Sequence, residues 1–384
     1  MSVHQNDTYV RATNKAIDQL PSDESLGELE PVAYINDAMP TGVTVSHKGR
    51  IFVNFPKWGD EVAFSVVEIS KGKTVAYPNE AINQSNTTDD PSAALVSVQS
   101  VVVDPLDRLW ILDTGSPLFK QTEYGGPKLI CVDLTTNKVV KKILLPQDVA
   151  LPTTYLNDLR FDLRCKKEGV IFITDSSQNG PNGIIVLDIA SGESWRRLND
   201  HYSTKAEDIQ TFLPIVEGRP FLEHLSDGSV KQGASMGADG IAISANGDRL
   251  YYCPLGSRKL YSVETNALID RSFEDQKVAA RVKEEGDRGG ASDGLESDAA
   301  GYIYSTNYEH NAILRRGPDM QWETVVHDPR LLWPDTLSLA ADGYLYVTAN
   351  QLHRQARYNK GNDLRRKPYT LFRVRTDAQP VLLR

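Results

Sequence analysis

The 384-residue sequence predicts an all-β protein, a six-bladed β-propeller with four-stranded antiparallel blades. Three observations support this fold class. A short apolar run with an aromatic residue in second place recurs six times, each copy follows a turn rich in Gly, Asp or Asn, and no long helical pattern interrupts the series. A closed ring of blades leaves no long open sheet edge, which suits a chain so rich in strands.

The recurring apolar run is the predicted second strand of each blade. The six copies are Ile51–Asn54, Leu109–Leu112, Ile171–Thr174, Leu250–Cys253, Ile303–Thr306 and Leu345–Thr348. Their aromatic residues recur by symmetry, so we expect them to pack between neighbouring blades and not to bind a ligand. These residues are Phe52, Trp110, Phe172, Tyr251, Tyr304 and Tyr346.

A shorter run precedes each copy and is the predicted first strand; a third run follows, and weaker fourth runs complete most copies. The residues that open the first strands are Thr41, Gln99, Asn157, Asp239, Asp293 and Asp335. Their spacing of 42 to 82 residues is too irregular for a solenoid but suits blades whose loops vary in length. The widest gap predicts a large insertion at about residues 199–233.

The repeats place a single propeller domain at residues 31–384, after an N-terminal extension at residues 1–30. The segment LEPVAYI near residue 30 is expected to pair with the last copy, YTLFRVRTDAQPVLLR, and so to close the ring.

The composition narrows the classes of partner. The net charge of −9 and the lack of a basic stripe interleaved with aromatics argue against nucleic acid, and the lack of a run of about 18 apolar residues argues against a membrane span. The expected partner is a small molecule, and the oligomeric state is left open. The first residues lack the apolar core of a secretory signal, which predicts a cytoplasmic protein. A secreted protein is the alternative if a native signal is missing from this sequence.

The three cysteines show no metal-binding spacing. Buried thiols are the simplest interpretation, and a bridge between Cys131 and Cys165 is the alternative.

The residues that open the first strands should form a polar ring at one mouth of the central channel, because first strands line the channel of a propeller. Three of them, Asp239, Asp293 and Asp335, are the predicted catalytic or binding carboxylates. Converging carboxylates repel one another unless something compensates. The candidates are a bound Ca²⁺, a cationic organic ligand, or raised pKa values that make one aspartate a general acid or base. The alternative is structural, because Asp-Gly pairs are typical of turns.

Other polar residues are assigned to ligand binding by their expected position at the same mouth. These are Thr41, Gln99, Asn157, Asn307, Asn350 and Trp333. If Ca²⁺ is bound, its predicted ligands are Asn157, Asp239 and Asp293. His310 and His353 also follow second strands and are expected near the loop face.

Several segments together resemble the Yellow/major royal jelly protein family. They include DGIAISANGDRLYYCPLGSRKLYSV, GASDGLESDAAGYIYSTNYEHNAI and LLWPDTLSLAADGYLYVTANQLHR. The resemblance covers residues from about 31 to the C-terminus and implies a six-bladed propeller. Members of that family include insect proteins linked to dopachrome conversion, salivary binders of biogenic amines, and secreted food proteins. The insect members carry a signal peptide, so the start of this chain suggests a microbial relative.

A more distant resemblance is to the calcium-dependent lactonases of the gluconolactonase and senescence-marker group. Those propellers hold calcium with a Glu/Asn/Asp set on first strands, which Asn157 and Asp239 match. The glutamate position falls on Thr41, so Asp293 or Asp335 would have to supply the missing ligand.

Three functions follow as hypotheses. The preferred one is an enzyme that isomerises a small cyclic or aromatic metabolite, with an aspartate of the ring moving a proton. The second is a calcium-dependent hydrolase of lactones or esters. The third is a non-catalytic binder of amines, in which Trp58, Tyr308 or Trp333 would cover the ammonium group.

Overall fold

The structure, a computed structural model, describes residues 24–84 and 89–384. Its strands form six four-stranded antiparallel sheets. In five of these sheets, neighbouring strands also follow one another along the chain. The sheets are arranged as the blades of a six-bladed β-propeller, which confirms the predicted fold class. First strands of successive blades lie side by side around the axis, so the start of every blade faces one central channel.

Blades 1 to 3 follow one another along the first half of the chain. Blade 1 comprises Val43–Val45, Ile51–Asn54, Val66–Ser70 and Lys73–Ala76. Blade 2 comprises Val98–Val103, Arg108–Asp113, Lys128–Asp133 and Lys138–Leu144. Blade 3 comprises Leu156–Asp162, Val170–Asp175, Gly183–Asp188 and Ser194–Arg197.

Blades 4 to 6 occupy the second half. Blade 4 comprises Ala238–Ile243, Arg249–Pro254, Lys259–Glu264 and Lys283–Asp287. Blade 5 comprises Leu295–Ser297, Ile303–Asn307, Ala312–Arg316 and Trp322–His327. Blade 6 comprises Pro334–Leu339, Tyr344–Ala349, Tyr369–Arg375 and Leu29–Ile35.

Helices in the described residues are few and short. The α-helices there are Glu80–Asn83, Thr265–Ile269 and Asp275–Ala279. The 3₁₀ turns are Pro117–Phe119, Tyr202–Thr204, Leu352–Arg354 and Ala356–Tyr358. None of the helices in the described ranges is long and apolar enough to cross a membrane.

The ring is closed by hydrogen bonding between the first and the last strand of the propeller in chain order. Leu29–Ile35 pairs antiparallel with Tyr369–Arg375 as the outer strand of blade 6. A second link joins the inner strands, because the Val45 amide donates to the Ser338 hydroxyl across blades 1 and 6. Residues 1–23 of the predicted N-terminal extension lie outside the described residues.

The recurring aromatics pack between blades, as expected. Five of the six are buried, and Trp110 of blade 2 contacts Phe161 of blade 3 with ring centroids 5.6 Å apart. Tyr251 is the exception, because it is partly exposed while its neighbour Tyr252 is buried. The cysteines are free thiols, with Cys131 and Cys253 buried and Cys165 partly exposed, so the alternative Cys131–Cys165 bridge is not formed.

The insertion between blades 3 and 4 lies where the spacing predicted it. It contains two small hairpins, Ile215–Val216 with Arg219–Pro220 and Leu222–His224 with Val230–Gln232. Phe212, Val216 and Phe221 of this insertion belong to the largest buried apolar cluster, together with residues of blades 1 and 6. The insertion therefore covers one end of the central channel.

Candidate functional site at the channel mouth

Five of the six residues that open the blades line one small cavity on the channel axis. The cavity has a volume of about 10 Å³, and its lining includes Gln99, Asn157, Asp239, Asp293 and Asp335. A space of this size holds about one water molecule or one ammonium group. The structure thus brings together carboxylates that are up to 96 residues apart in the chain, counted from Asp239 to Asp335.

β-Bulges aim these side chains inward. The strand register shifts at the opening residue in four blades, between Val98 and Ser100, Leu156 and Leu159, Ala238 and Ile241, and Pro334 and Leu337. A bulge leaves one residue without a ladder partner and turns its side chain out of the regular alternation. The opening residues can therefore point at the axis while the rest of each first strand stays in the sheet.

The Asp-Gly pairs in blades 4 and 5 are not turns. Gly240 lies in a strand, and a Cβ atom there would meet the Asp293 carbonyl oxygen at 2.4 Å. A Cβ atom on Gly294 would meet the Asp335 carbonyl oxygen at 2.3 Å. Each glycine therefore allows close approach of the next blade's backbone, and the structural interpretation of Asp-Gly as a turn is wrong here.

The first strands start irregularly and lack some of the regular hydrogen bonds between strands. Threonine hydroxyls on the second strands form hydrogen bonds to the backbone at these places. The Asp293 and Gly294 amides both donate to the Thr306 hydroxyl, at 3.0 and 3.1 Å. Thr174 donates to the Asp239 carbonyl at 2.7 Å, and Thr348 makes the equivalent bond to blade 1. The repeated threonine was visible in the sequence as the last residue of three recurring runs, but its role depends on a bulge that the sequence does not reveal.

Asp239 and Asp293 form a directly hydrogen-bonded carboxyl pair. Burial and the charge of Asp293 raise the pKa of Asp239 well above its ordinary value. Burial raises the pKa of Asp293 to about 6, while the hydrogen bonds from Trp333 and Asp239 hold it down. Asp239 is therefore the proton donor of the pair and Asp293 the acceptor, as in other carboxyl pairs that share one proton.

Neutral donors complete the pair on both sides. The Asn157 amide Nδ2 donates to Asp239 Oδ1 at 2.6 Å, and the Trp333 indole Nε1 donates to Asp293 Oδ2 at 2.7 Å. Trp333 adopts a left-handed backbone conformation with φ of 59°, which is rare for a bulky residue and costs about 1–3 kcal/mol. Strain of this kind concentrates at functional sites, and here it delivers the indole N–H to the carboxyl pair.

Asp335 is the third carboxyl group of the cavity. The Asn350 amide and the Thr336 hydroxyl donate to its two oxygens, at 2.6 and 3.0 Å. Burial, and after it the charge of Asp293, raise the pKa of Asp335 well above its ordinary value. Asn350, predicted to bind a ligand, thus holds the side chain of Asp335.

A buried ion pair between Asp158 and Arg160 lies on the first strand of blade 3, directly after Asn157. Arg160 Nη1 donates to Asp158 Oδ2 at 2.9 Å, and Ser100 Oγ donates to the other Asp158 oxygen at 2.7 Å. The negative charge of Asp158 contributes to the raised pKa of Asp293 and of Asp335. Within the described ranges, none of the three ring aspartates forms an ion pair with a basic side chain; the nearby guanidinium of Arg160 is taken by Asp158.

Gln99 links the polar residues of the cavity to an aromatic wall, which consists of Trp58, Phe119 and Tyr155. Its Oε1 accepts a hydrogen bond from the Tyr155 hydroxyl at 2.9 Å, and that hydroxyl accepts from Trp58 Nε1 at 2.6 Å. The Phe119 ring packs on both Trp58 and Tyr155. Burial raises the pKa of Tyr155, which therefore acts as a neutral donor at this wall.

A second group of aromatic rings covers the carboxyl pair. Trp333 is fully buried and stacks on Tyr308 at 4.2 Å between ring centroids, while Phe221 packs on its other side at 5.0 Å. Tyr358 contacts Phe221, and the Arg357 guanidinium lies over the Tyr358 and Phe119 rings. The blade repeat does not predict Phe221, Tyr358 or Arg357, because they come from an insertion and a loop outside the repeat.

Two predicted ligand-binding residues lie away from the cavity. The Thr41 hydroxyl donates to the Gln99 carbonyl and accepts from the Asn54 amide, so it fastens blade 1 to blade 2. Asn307 donates to the Gly289 carbonyl and supports the loop before Asp293. His310 is exposed, whereas His353 is buried and stacks on Trp333 at 5.9 Å.

The donor set does not fit a calcium site as it stands. No group of three or more His, Cys, Asp or Glu side chains in the described part of the chain is arranged to hold a metal ion. Asn157 turns its amide N–H, and not its oxygen, toward Asp239. Calcium binds oxygen donors, so the Asn157 amide group would have to rotate to become a ligand.

The comparison with known proteins decides the family. The family model described as major royal jelly protein matches residues 96–382, which is most of the propeller. The chain belongs to the major royal jelly protein family. The family match confirms the resemblance found in the sequence.

Relatives within this royal jelly family match different shares of the chain. Major royal jelly protein 7 of Apis mellifera is 31% identical over 191 residues, which cover 48% of this chain and 39% of the bee protein. Yellow-related salivary protein SP04 of Phlebotomus argentipes is 25% identical over 346 residues, which cover 84% and 81%. The matches span only 36% to 41% of the lengths of the first four royal jelly relatives.

Solved structures share the fold of this royal jelly family chain at low identity. A gluconolactonase from Xanthomonas campestris has a TM-score of 0.53 at 12% identity, with 91% of this chain and 89% of that chain covered. A luciferin-regenerating enzyme has a TM-score of 0.55 at 10% identity, with 92% and 97% covered. At such identities these matches establish the propeller architecture alone.

Proposed function

We propose that this royal jelly family propeller is an enzyme that binds a small cyclic or aromatic metabolite at the channel mouth and isomerises it by proton transfer. The hydrogen-bonded pair of Asp239 and Asp293, buried under aromatic rings, is the observation that carries the proposal. A carboxyl group with a pKa of about 6 is well matched to proton transfer near neutral pH.

The chemistry is a balanced keto–enol exchange. The Asp293 carboxylate would remove a proton from the carbon next to a carbonyl group, and the electron pair of that C–H bond would become the enol double bond. Asp239 would donate its proton to the carbonyl oxygen, so no electron acceptor is needed. Where the enol is conjugated to a second C=C bond, Asp293 would return its proton to the far carbon of that system while the enol O–H gives its proton back to Asp239, which restores the carbonyl group and completes the isomerisation. No step is assigned to a metal, because the present donor arrangement does not fit one.

Solvent exchange tests this function without knowledge of the natural substrate. We expect the protein to speed deuterium uptake from D₂O at the carbon next to the carbonyl of 2-tetralone or cyclohexane-1,2-dione, followed by proton NMR. Exchange should require ionised Asp293, so the rate should fall as the pH drops through about 6. Protein dialysed against EDTA is expected to exchange at the same rate. No acceleration with any enolisable cyclic ketone would refute the proposal, and loss of exchange on chelation would contradict the metal-free proton transfer.

A second candidate function, the binding of an amine without turnover, is favoured by one specific observation. The three aspartates share a cavity of ammonium size and make no ion pair with a basic side chain in the part of the chain that the structure describes. An organic ammonium group would pair with the Asp293 carboxylate, and the aromatic rings around the cavity would contact its aromatic body.

Thermal melting distinguishes the amine binder. We expect phenethylamine to raise the melting temperature and phenethyl alcohol, which lacks the charge, to leave it unchanged, because only a ligand that binds the folded state stabilises it. The shift should weaken as the pH falls through 6, since protonation of Asp293 removes the charge that attracts the amine. Equal shifts by amine and alcohol would exclude this function.

A further inference from the structure

An open groove lies on the cover of the channel, outside the carboxyl cavity. It runs between the second half of the insertion and the loop that follows Leu352–Arg354, and its volume is about 810 Å³. A second depression of about 510 Å³ adjoins it and shares Arg219, Asp363 and Leu364 with its lining. Together they form one continuous surface feature, the lid groove.

The lid groove carries positive charge on a protein whose net charge is −9. Two of its arginines are already engaged: Arg354 pairs with Glu217, and Arg365 pairs with Asp60 and Asp363. The unpaired cations in the lining are Arg219, Lys360 and Arg366, for which no ion pair is found in residues 24–84 and 89–384. A cleft lined by one sign of charge concentrates ligands of the opposite sign.

His353 adds a second, independent feature to the lid groove. It lines the groove, is 6% exposed, and its Nε2 lies 2.7 Å from Glu217 Oε2. Hydrogen bonds from His353 and Arg354 lower the pKa of Glu217, so Glu217 is a carboxylate and His353 Nε2 carries the proton. The other ring nitrogen, Nδ1, is buried and has no hydrogen-bond partner. A buried polar atom without a partner is unusual, and a ligand hydroxyl or N–H would satisfy it.

The floor of the lid groove is apolar and adjoins the carboxyl pair. Phe221 and Tyr358 line the groove, and Phe221 packs on Trp333, whose indole N–H donates to Asp293. Two aromatic rings, Phe221 and then Trp333, therefore lie between the open groove and Asp293. A ring resting on Phe221 and Tyr358 would place a carboxylate within the reach of the rim cations, where Arg219 offers a planar guanidinium that matches it.

We propose that the lid groove binds a small ring compound that carries a carboxylate and a hydroxyl group. Arg219 holds the carboxylate, Lys360 and Arg366 add attraction, and His353 Nδ1 accepts a hydrogen bond from the hydroxyl group. Binding in the groove is independent of the proposed function; only the further step, that this ligand is the one that reaches the carboxyl pair, rests on it.

Three matched probes test the charge requirement. Titrations of the full chain with 4-hydroxybenzoate, 4-hydroxybenzamide and 4-hydroxybenzylamine, followed by saturation-transfer NMR, compare an anion, a neutral isostere and a cation. We expect 4-hydroxybenzoate to bind at least tenfold more tightly than the other two. The substitution Arg219→Gln should weaken 4-hydroxybenzoate at least tenfold, and Lys360→Gln should weaken it less. The control is Arg271→Gln, which makes the same change in net charge at an exposed arginine that pairs with Glu193.

Every outcome bears on the groove. No binding of 4-hydroxybenzoate at millimolar concentration, equal binding of the amide, preferred binding of the amine, or equal losses in the Arg219→Gln and Arg271→Gln variants would each overturn the proposal. The variant Asp293→Asn separates it from the proposed function: retained 4-hydroxybenzoate binding with loss of ketone exchange is expected if both hold. Retained 4-hydroxybenzoate binding by wild-type protein that shows no ketone exchange would refute the enzyme and leave the groove.

Discussion

Replacing Asp293 by asparagine is expected to slow the deuterium exchange of 2-tetralone by 10²- to 10⁴-fold, the usual contribution of a general base. The fold should survive, because an asparagine keeps both hydrogen bonds of the native side chain. Its Oδ1 can accept from Trp333, and its Nδ2 can donate to Asp239. The initial rate by proton NMR and the circular dichroism spectrum measure the two expectations separately.

The same substitution should stabilise the protein at neutral pH. The pKa of Asp293 is raised from 3.8 to about 6, so the unfolded chain gives up this proton more readily than the folded protein. The folded state therefore loses stability as the pH rises from about 4 to 6 and does not regain it above that range. At pH 7 the loss is at most about 3 kcal/mol. Asparagine removes this cost, and urea unfolding at pH 5 and pH 7 will show a smaller pH dependence.

The substitution Asp162→Asn is a control for which we expect the opposite change in stability at pH 7. Burial alone would raise the pKa of Asp162, but hydrogen bonds from Arg164 outweigh it and lower the pKa. Asp162→Asn should therefore destabilise the protein at pH 7 and leave exchange unaffected, because this side chain lies at the far end of its strand from Asn157. An Asp293→Asn variant with full exchange activity would remove the carboxyl pair from the mechanism. An Asp293→Asn variant that is less stable at pH 7 would contradict the electrostatic account.

Substitution of Lys128 by methionine is expected to lower the free energy of unfolding by about 3–5 kcal/mol. Lys128 is fully buried, and its Nζ donates to Asp113 Oδ2 at 2.7 Å and to three backbone carbonyls. Asp113 in turn accepts from the amides of Val96, Ser97 and Gly115. Removal of the ammonium group leaves a buried carboxylate and unsatisfied carbonyls, which is the costly way to break such a pair.

Lys141→Met is the matched control for this second substitution. Lys141 pairs with Glu168 at 2.6 Å, but both side chains are partly exposed, so the expected loss is below about 1 kcal/mol. Urea denaturation followed by fluorescence and circular dichroism gives both values. Similar losses for the two lysines would mean that burial does not set the strength of the Lys128 pair.

The fold was predictable because each blade repeats the same pattern of apolar runs and turn residues in the sequence. Period-two apolar runs and turn residues fix each hairpin locally, and the recurrence of an aromatic such as Trp110 at one register marks the packing between blades. The ring of opening residues followed from the same symmetry, because equivalent positions in a closed ring meet at its axis. Thr41 shows the limit, since an equivalent position in blade 1 serves packing and not the cavity.

The cover of the channel was not predictable from the repeat. Phe221 and Tyr358 come from an insertion and a loop without counterparts in other blades, so symmetry gives no information about where they fold. The pairing of Asp239 with Asp293 also depends on bulges and on Gly240, which sets the distance between adjacent backbones. Asp113 and Asp175 were missed for a related reason: each ends a second strand and binds backbone amides, a role that appears only when the neighbouring loop is in place.

The pairing of the first and the last propeller strand, which completes blade 6, has a consequence for biosynthesis. The outer strand of that blade, Leu29–Ile35, is made before the other described strands of the propeller, and its partner Tyr369–Arg375 is made after them. Until then the early segment has no hydrogen-bonding neighbour, and the nascent chain has an incomplete circle with two exposed sheet edges. Such long-range pairing is slow to form, and the open sheet edges make the incomplete propeller prone to association with other chains until blade 6 is complete.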